Sequence, residues 1–208
     1  MLTDTECCSK GTEHNEIISA PKESDLMHIA LTLLRLSQRD NQLPILDLAC
    51  GIGRNGLFLQ KYGYSVVYAD KDPQSLAQVK QFLTQGDISE NSTTIGDAQF
   101  WQLDFEQDGE AREQVEQKLC EHAFQAIIVS RYLHRPLMPL IKKAIAPGGC
   151  IIYETFTRAQ AKIGRPKNPD FLLEKGELAK TFQGWHIKHQ FEGVENNQAI
   201  AQLMALKP

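Results

Sequence analysis

Apolar positions along the chain follow two alternating rhythms, and the changes of rhythm mark the elements. Runs of strand length, dense in apolar and β-branched residues, fall at 44–49, 65–70, 98–103, 124–130 and 148–155. Between them, apolar residues three and four apart predict helices over roughly 54–62, 73–84, 108–121 and 136–146. An earlier helix is predicted from Glu23 to about Leu36. Leu26, Ile29, Ala30, Leu33 and Leu34 share one face there, and Ser24 or Asp25 stands as its cap. That helix either packs on the sheet or lies across a ligand mouth. Strands alternating with helices imply a mostly parallel sheet with helices on both faces. The end of the chain breaks the alternation, because GWHIKHQFEG and NQAIAQLMALK read as two successive strands with Glu195, Asn196 and Asn197 as turn residues. Residues 1–22 are polar and hold few apolar anchors, so they are expected to form a mobile tail ahead of a domain over 23–208.

Composition narrows the classes. With 208 residues and 42% hydrophobic content, the chain can bury the core of one full-sized domain. A net charge of −4 offers no general attraction for nucleic acid. No apolar run approaches bilayer length, and the N-terminus lacks a signal-peptide core, so no membrane association is expected. Five scattered cysteines, at 7, 8, 50, 120 and 150, suit a reducing, cytoplasmic compartment rather than a disulfide framework. Cys7, Cys8 and His14 lack a second ligand pair at useful spacing, so no metal site is expected.

The chemistry concentrates in PILDLACGIGRN, Pro44 to Asn55. An apolar strand runs into a glycine turn that opens a helix, the place where nucleoside cofactors bind in open α/β sheets. Gly51, Gly53 and Gly56 spell GxGxxG, and Asp70 ends the next apolar run at ribose-binding distance in sequence. Taken alone these residues suit a dinucleotide. Asp47, four positions before Gly51, points elsewhere: a carboxylate repels a pyrophosphate but suits a cofactor with ammonium and sulfonium groups. S-adenosyl-L-methionine is such a cofactor. The alternative for Asp47 is a hydrogen bond to loop amides.

The segment LDLACGIGRNGLFLQKYGYSVVYADKDPQSLAQV resembles the first two motifs of class I S-adenosylmethionine-dependent methyltransferases. GRN after the glycines and the later GELAKTFQGW are similar to the tellurite-resistance, TehB-like branch, and the resemblance extends over roughly Leu43 to Pro208. It implies a Rossmann-like α/β fold, a mostly parallel seven-stranded sheet finished by an antiparallel pair. It departs at Ala49, where the family often has glycine; alanine there is expected to hold a negative φ. The resemblance implies an adenosine site in which Asp70 takes the ribose hydroxyls and Asp104, beside Phe105, takes the adenine amino group; the alternatives are helix capping for Asp70 and a solvated loop acid for Asp104. Lys71 and Asp72 flank that edge or start a helix. Arg54 either meets the methionine carboxylate, pairs with Asp72 or lies at the surface. Ala49 and Ser130 complete the expected cofactor set.

An activated methyl group needs alignment and exclusion of water more than a catalytic triad. The acceptor site is therefore expected in the loops after the fourth and fifth strands. Arg131, Tyr132, His134 and Arg135 follow one strand, while Arg158, Lys162, Arg165 and Lys167 follow the other with no acid between them. This is read as a positive lip for a small anionic or soft-nucleophile acceptor, with Arg131 and His134 as positioning residues. The alternatives are a solvated loop for Arg158 to Lys167 and a helix cap for His134. Glu154 either binds a cationic group or pairs with a lip arginine. Residues Gly164 to Leu173, pinned by Phe171 and Leu172, read as a lid. Protein methylation, non-catalytic cofactor binding and an NAD-dependent oxidoreductase stand as alternatives; the oligomeric state is not legible.

Overall fold

The computed structural model describes residues 22–36, 43–85 and 96–208. The expected tail lies outside the described residues except for Lys22, as do Cys7, Cys8 and His14. The chain begins with α1 (Leu26–Leu36), β1 (Ile45–Leu48), α2 (Arg54–Gln60), β2 (Val66–Asp70), α3 (Pro73–Thr84) and β3 (Ala98–Gln102). It continues through α4 (Glu110–Glu121), β4 (Phe124–Ser130), α5 (Met138–Ala144), β5 (Ile145–Phe156), α6 (Gln160–Ile163), α7 (Glu177–Thr181), β6 (His186–Glu195) and β7 (Gln198–Leu206). The strands form one seven-stranded sheet in the order β3-β2-β1-β4-β5-β7-β6. The first five pair in parallel, and β7 runs antiparallel to both β5 and β6. Because β1 has β2 on one side and β4 on the other, its carboxyl end opens at the point where strand order reverses.

Side-chain alternation sorts the core into two faces. Leu46 and Leu48, Ile127 and Val129, and Ile151 and Tyr153 share a cluster with Leu119 of α4, Ile141 of α5 and Leu178 of α7. The intervening residues, Ile45, Ala126, Ile128, Cys150 and Ile152, meet Leu26, Ala30 and Leu34 of α1 and Phe58 of α2. The α1 helix therefore packs on the sheet rather than across a mouth. Val66 and Tyr68 of β2 pack with Leu57 of α2 and with Leu76, Val79 and Phe82 of α3. The same two-residue period carries Asp47 and Glu154 onto the α1–α2 face, each two positions beyond an apolar member of that row.

Two boundaries differ from the sequence reading. The fourth expected helix ends at Ala144, because Ile145 already pairs with Phe124; the register then shifts before Cys150 pairs with Ala126. The fifth strand, expected from 148, therefore begins at Ile145 and carries Pro147, Gly148 and Gly149 in its irregular first part. The C-terminal hairpin turns on Asn196 and Asn197, with φ of 49° and 58°, the left-handed pair that a tight two-residue hairpin requires.

Candidate functional site

The β1–α2 turn wraps a cavity of about 480 Å³, within the ~300–1,000 Å³ span of small-molecule sites. Asp47, Ala49, Gly51 and Arg54 line it from the loop, and Ser130 and Arg131 close it from the end of β4. Gln198 reaches it from the first position of β7. The turn is built by local constraint. A Cβ on Gly56 would lie 2.5 Å from Tyr68 Cε1 and 2.9 Å from Asp47 Oδ2, so α2 approaches β2 this closely only with glycine there. Gly51, by contrast, has open space where a Cβ would stand, on the cavity side of the loop. Gly53 precedes α2 with φ of 73° and lies against Val79 and Tyr68, beneath the cavity rather than in its wall.

Ala49 corrects an expectation: its φ is +53°, not negative. The loop holds it there, since the Cys50 amide donates to the Ala69 carbonyl at 3.1 Å and the Gly53 amide to the Cys50 carbonyl at 2.9 Å. A side chain in this region is strained by ~1–2 kcal/mol.

Asp47 is 2% exposed, and its Oδ2 accepts from the Gly56 amide at 2.8 Å. Burial pushes its carboxyl up to about 7 against the opposing pull of the Gly56 amide and the Arg54 guanidinium, while the Asp70 charge adds to the rise. Arg54 donates through Nη2 to Ser130 Oγ at 3.1 Å, tying the loop to β4. It does not pair with Asp72, which caps α3 by accepting from the Gln74 and Ser75 amides. Asp70 lies just beyond the cavity and shapes the loop, its two oxygens accepting from the Gly51 amide at 2.7 Å and the Asp72 amide at 2.9 Å.

The remaining expected cofactor residues form a neighbouring rim at the ends of β2 and β3. Lys71 approaches Glu106 at 3.8 Å, and Asp104 accepts from the Glu106 amide and the Gln107 side chain. Phe105 is buried, with its ring 6.5 Å from that of Tyr132. The Tyr132 hydroxyl is buried near the carboxylates of Glu106 and Asp104. Burial and these acids push it well above the usual phenol range.

A second cavity, of about 220 Å³, adjoins the first and shares Arg54, Arg131 and Gln198 with it. Glu154 forms its floor. This carboxylate is 4% exposed and accepts from Arg131 Nε at 3.1 Å, Gln202 Nε2 at 2.8 Å and Ser24 Oγ at 3.2 Å. Ser24 thus serves Glu154 with its hydroxyl instead of capping α1, and its amide donates to Asn55 Oδ1 at 3.0 Å. Arg131 has a φ of 58°, and its guanidinium carbon stands 4.5 Å from the centre of the Phe156 ring. Among the described residues its Nη groups have no hydrogen-bond partner, and the residue lines both cavities.

Two cations of the expected lip are paired with acids. Arg135 is clamped by Glu177 at 2.7 and 2.9 Å and by the carbonyls of Asp170 and Leu172, and Arg158 pairs with Glu174 at 2.5 Å. Acids distant in sequence fold back onto the basic loops. His134 lines neither cavity: it lies in a narrow crevice with Phe105 and Leu137, and its side chain makes no cap hydrogen bond. The expected lid lies away from both cavities. Leu172 and Leu173 anchor it, with a bridge from Leu173 to Thr157, while Phe171 is exposed. The wall that sequence reasoning missed comes from residues 22–25 and the β6–β7 turn. Its one legible trace is Gln198 and Gln202, polar and in phase within an otherwise apolar strand.

Comparison with known proteins identifies the arrangement. Residues 40–202 match the family model described as Tellurite resistance protein TehB. The chain belongs to the TehB family. No curated protein matches it. Among solved structures, TehB from Haemophilus influenzae has a TM-score of 0.61 at 19% identity, over 87% of this chain and 62% of that one. This TehB-family chain thus spans less than two thirds of that relative. A TehB-like SAM-dependent methyltransferase from Corynebacterium glutamicum has a TM-score of 0.54 at 18% identity, over 86% and 87% of the two chains. Magnesium protoporphyrin IX methyltransferase from Synechocystis PCC 6803, with bound SAM, gives 0.57 at 14% identity, over 88% and 78%. At these identities the likeness establishes the fold, that of the SAM-dependent methyltransferases. Among the described residues no helix is long and apolar enough to cross a membrane.

Proposed function

We propose that this TehB-family chain binds S-adenosylmethionine in the larger cavity and directs methyl transfer to a small polar acceptor in the smaller one. The observation that carries the reading is Asp47, a buried carboxyl in the cavity wall with one amide donor and a charge made costly by burial. A cation in the cavity relieves that cost, and the donor's ammonium and sulfonium are such cations; a pyrophosphate would add to it. The open space at Gly51 and the cavity's size also fit the group. Asp47 would hold its positive end and Arg54 its carboxylate, with Asp70 and Asp104 along the adenosine edge. When bound, the donor supplies a methyl group already activated on sulfur.

The protein's part is then alignment and exclusion of water, for which holding reactants in line contributes on the order of 7–11 kcal/mol. Arg131 is the positioning residue, since it lines both cavities and its planar fork can receive an anionic group on the acceptor. This support is narrower than the basic loops suggested, because Arg135 and Arg158 are held by Glu177 and Glu174. A nucleic-acid acceptor is disfavoured by Asp25 and Glu195 at the mouth and by the net charge of −4. The scattered thiols suit a cytoplasmic setting. Arg131→Ala tests the assignment: S-adenosylhomocysteine affinity should stay within threefold by calorimetry while methyl transfer falls at least tenfold. A loss of cofactor affinity alone would move Arg131 into the cofactor site.

A further inference from the structure

The smaller cavity has a composition that narrows its occupant. It is polar on nearly every side, Ile200 being its one apolar lining residue, so it lacks the apolar walls that hold an aromatic or aliphatic body. Its charges are divided in space. At the inner end, Arg131 is held by Glu154 and Phe156 with its two Nη groups available, a fork shaped for a carboxylate. At the outer end, Asp25 and Glu195 have no ion-pair partner among the described residues, and Lys22 is the lone cation beside them. Glu23, the remaining rim acid, is engaged by His28 at 3.0 Å. Arg54 is shared with the larger cavity and bonded to Ser130. Counted over the whole lining, Lys22, Arg54 and Arg131 stand against Glu23, Asp25, Glu154 and Glu195, so a bare oxyanion would enter an environment of net negative charge.

From this geometry we infer that the acceptor site takes a small organic zwitterion, a molecule of amino-carboxylate type. Its anionic end docks on the Arg131 fork, and its ammonium end faces Asp25 and Glu195. Gln198, Gln202 and Asn196 supply amide groups for the hydroxyl or carbonyl oxygens of its middle. The inference rests on the assignment of the larger cavity to the methyl donor, because that assignment makes the adjoining cavity the acceptor site.

Calorimetric titration into the full chain saturated with S-adenosylhomocysteine tests it. The probes are glycine, β-alanine and γ-aminobutyrate as zwitterions of increasing span, with acetate and ethylamine as their single-charge halves and tellurite as a bare oxyanion. At least one zwitterion should bind tenfold or more tighter than acetate, ethylamine and tellurite. The pair Asp25→Asn and Glu195→Gln should weaken that zwitterion fivefold or more while leaving S-adenosylhomocysteine affinity within twofold, which shows the variant to be folded. Binding of tellurite or acetate as tight as that of the best zwitterion, no binding by any zwitterion, or indifference to the paired substitution would overturn the inference. Failure to saturate with S-adenosylhomocysteine is a separate result, and it removes both the donor assignment and this inference.

Discussion

Replacing Asp47 with asparagine should make the ligand-free protein more stable and the cofactor site worse. The carboxyl sits in the wall of the larger cavity at 2% exposure, and burial raises it from 3.8 to about 7. A raised carboxyl means that the folded state holds its proton more tightly than the unfolded chain. Its favourable contribution is therefore complete below pH 3.8 and is lost as pH rises through about 7. At ~1.4 kcal/mol per pKa unit, the full loss is about 4 kcal/mol at pH 8. Asparagine keeps an oxygen for the Gly56 amide and carries no charge. Its stability advantage over the wild type should grow by about 2 kcal/mol between pH 5.5 and pH 8, read by urea unfolding of the ligand-free proteins. S-adenosylmethionine affinity should fall at least tenfold at pH 8. In the wild type, affinity should weaken about tenfold from pH 8 to pH 6 as the carboxyl takes up its proton, and this dependence should vanish in the variant. A stability difference independent of pH, or unchanged cofactor affinity, would refute the reasoning.

Two further predictions come from the fold. Ala49→Gly relieves a side chain held at φ +53°, and it should raise unfolding stability by up to ~1 kcal/mol in urea titration. Arg135→Ala removes the clamp between the β4–α5 connection and Glu177; because this pair is partly exposed, the expected loss is about 1 kcal/mol, with cofactor affinity intact by calorimetry.

The order of elements through β5 was legible because each strand is a compact apolar run and each helix keeps one apolar face, whereas α6 and α7, of four and five residues, are too short to show a periodicity and were not expected. Pro73 to Thr84 shows why: proline at the first turn and Asp72 as cap give both the start and the reason for it. The β1–α2 loop was legible for the same reason, since Asp47, Gly51 and Arg54 act within a few residues of one another. What failed were judgements about through-space neighbours. Arg135 and Arg158 looked unopposed because Glu177 and Glu174 lie far along the chain, and only folding brings them together. His134 follows a buried strand, as Arg131 does, but the left-handed turn at Arg131 sends the chain toward α5 and His134 into the crevice beside Phe105. The second cavity needed two long-range arrivals. Ser24 reaches Glu154 across 130 residues of sequence, and Gln202 reaches it only because β7 runs antiparallel to β5. Neither spacing has a local signature.

The central claim is that the turn above β1 holds a cationic adenosyl cofactor rather than a dinucleotide. Calorimetric titration of the full chain with S-adenosylmethionine and, separately, with NAD tests it most directly. One-to-one binding of S-adenosylmethionine, weakened at least tenfold in Asp47→Asn, is expected, with no measurable binding of NAD. Binding of NAD in preference to S-adenosylmethionine would contradict it.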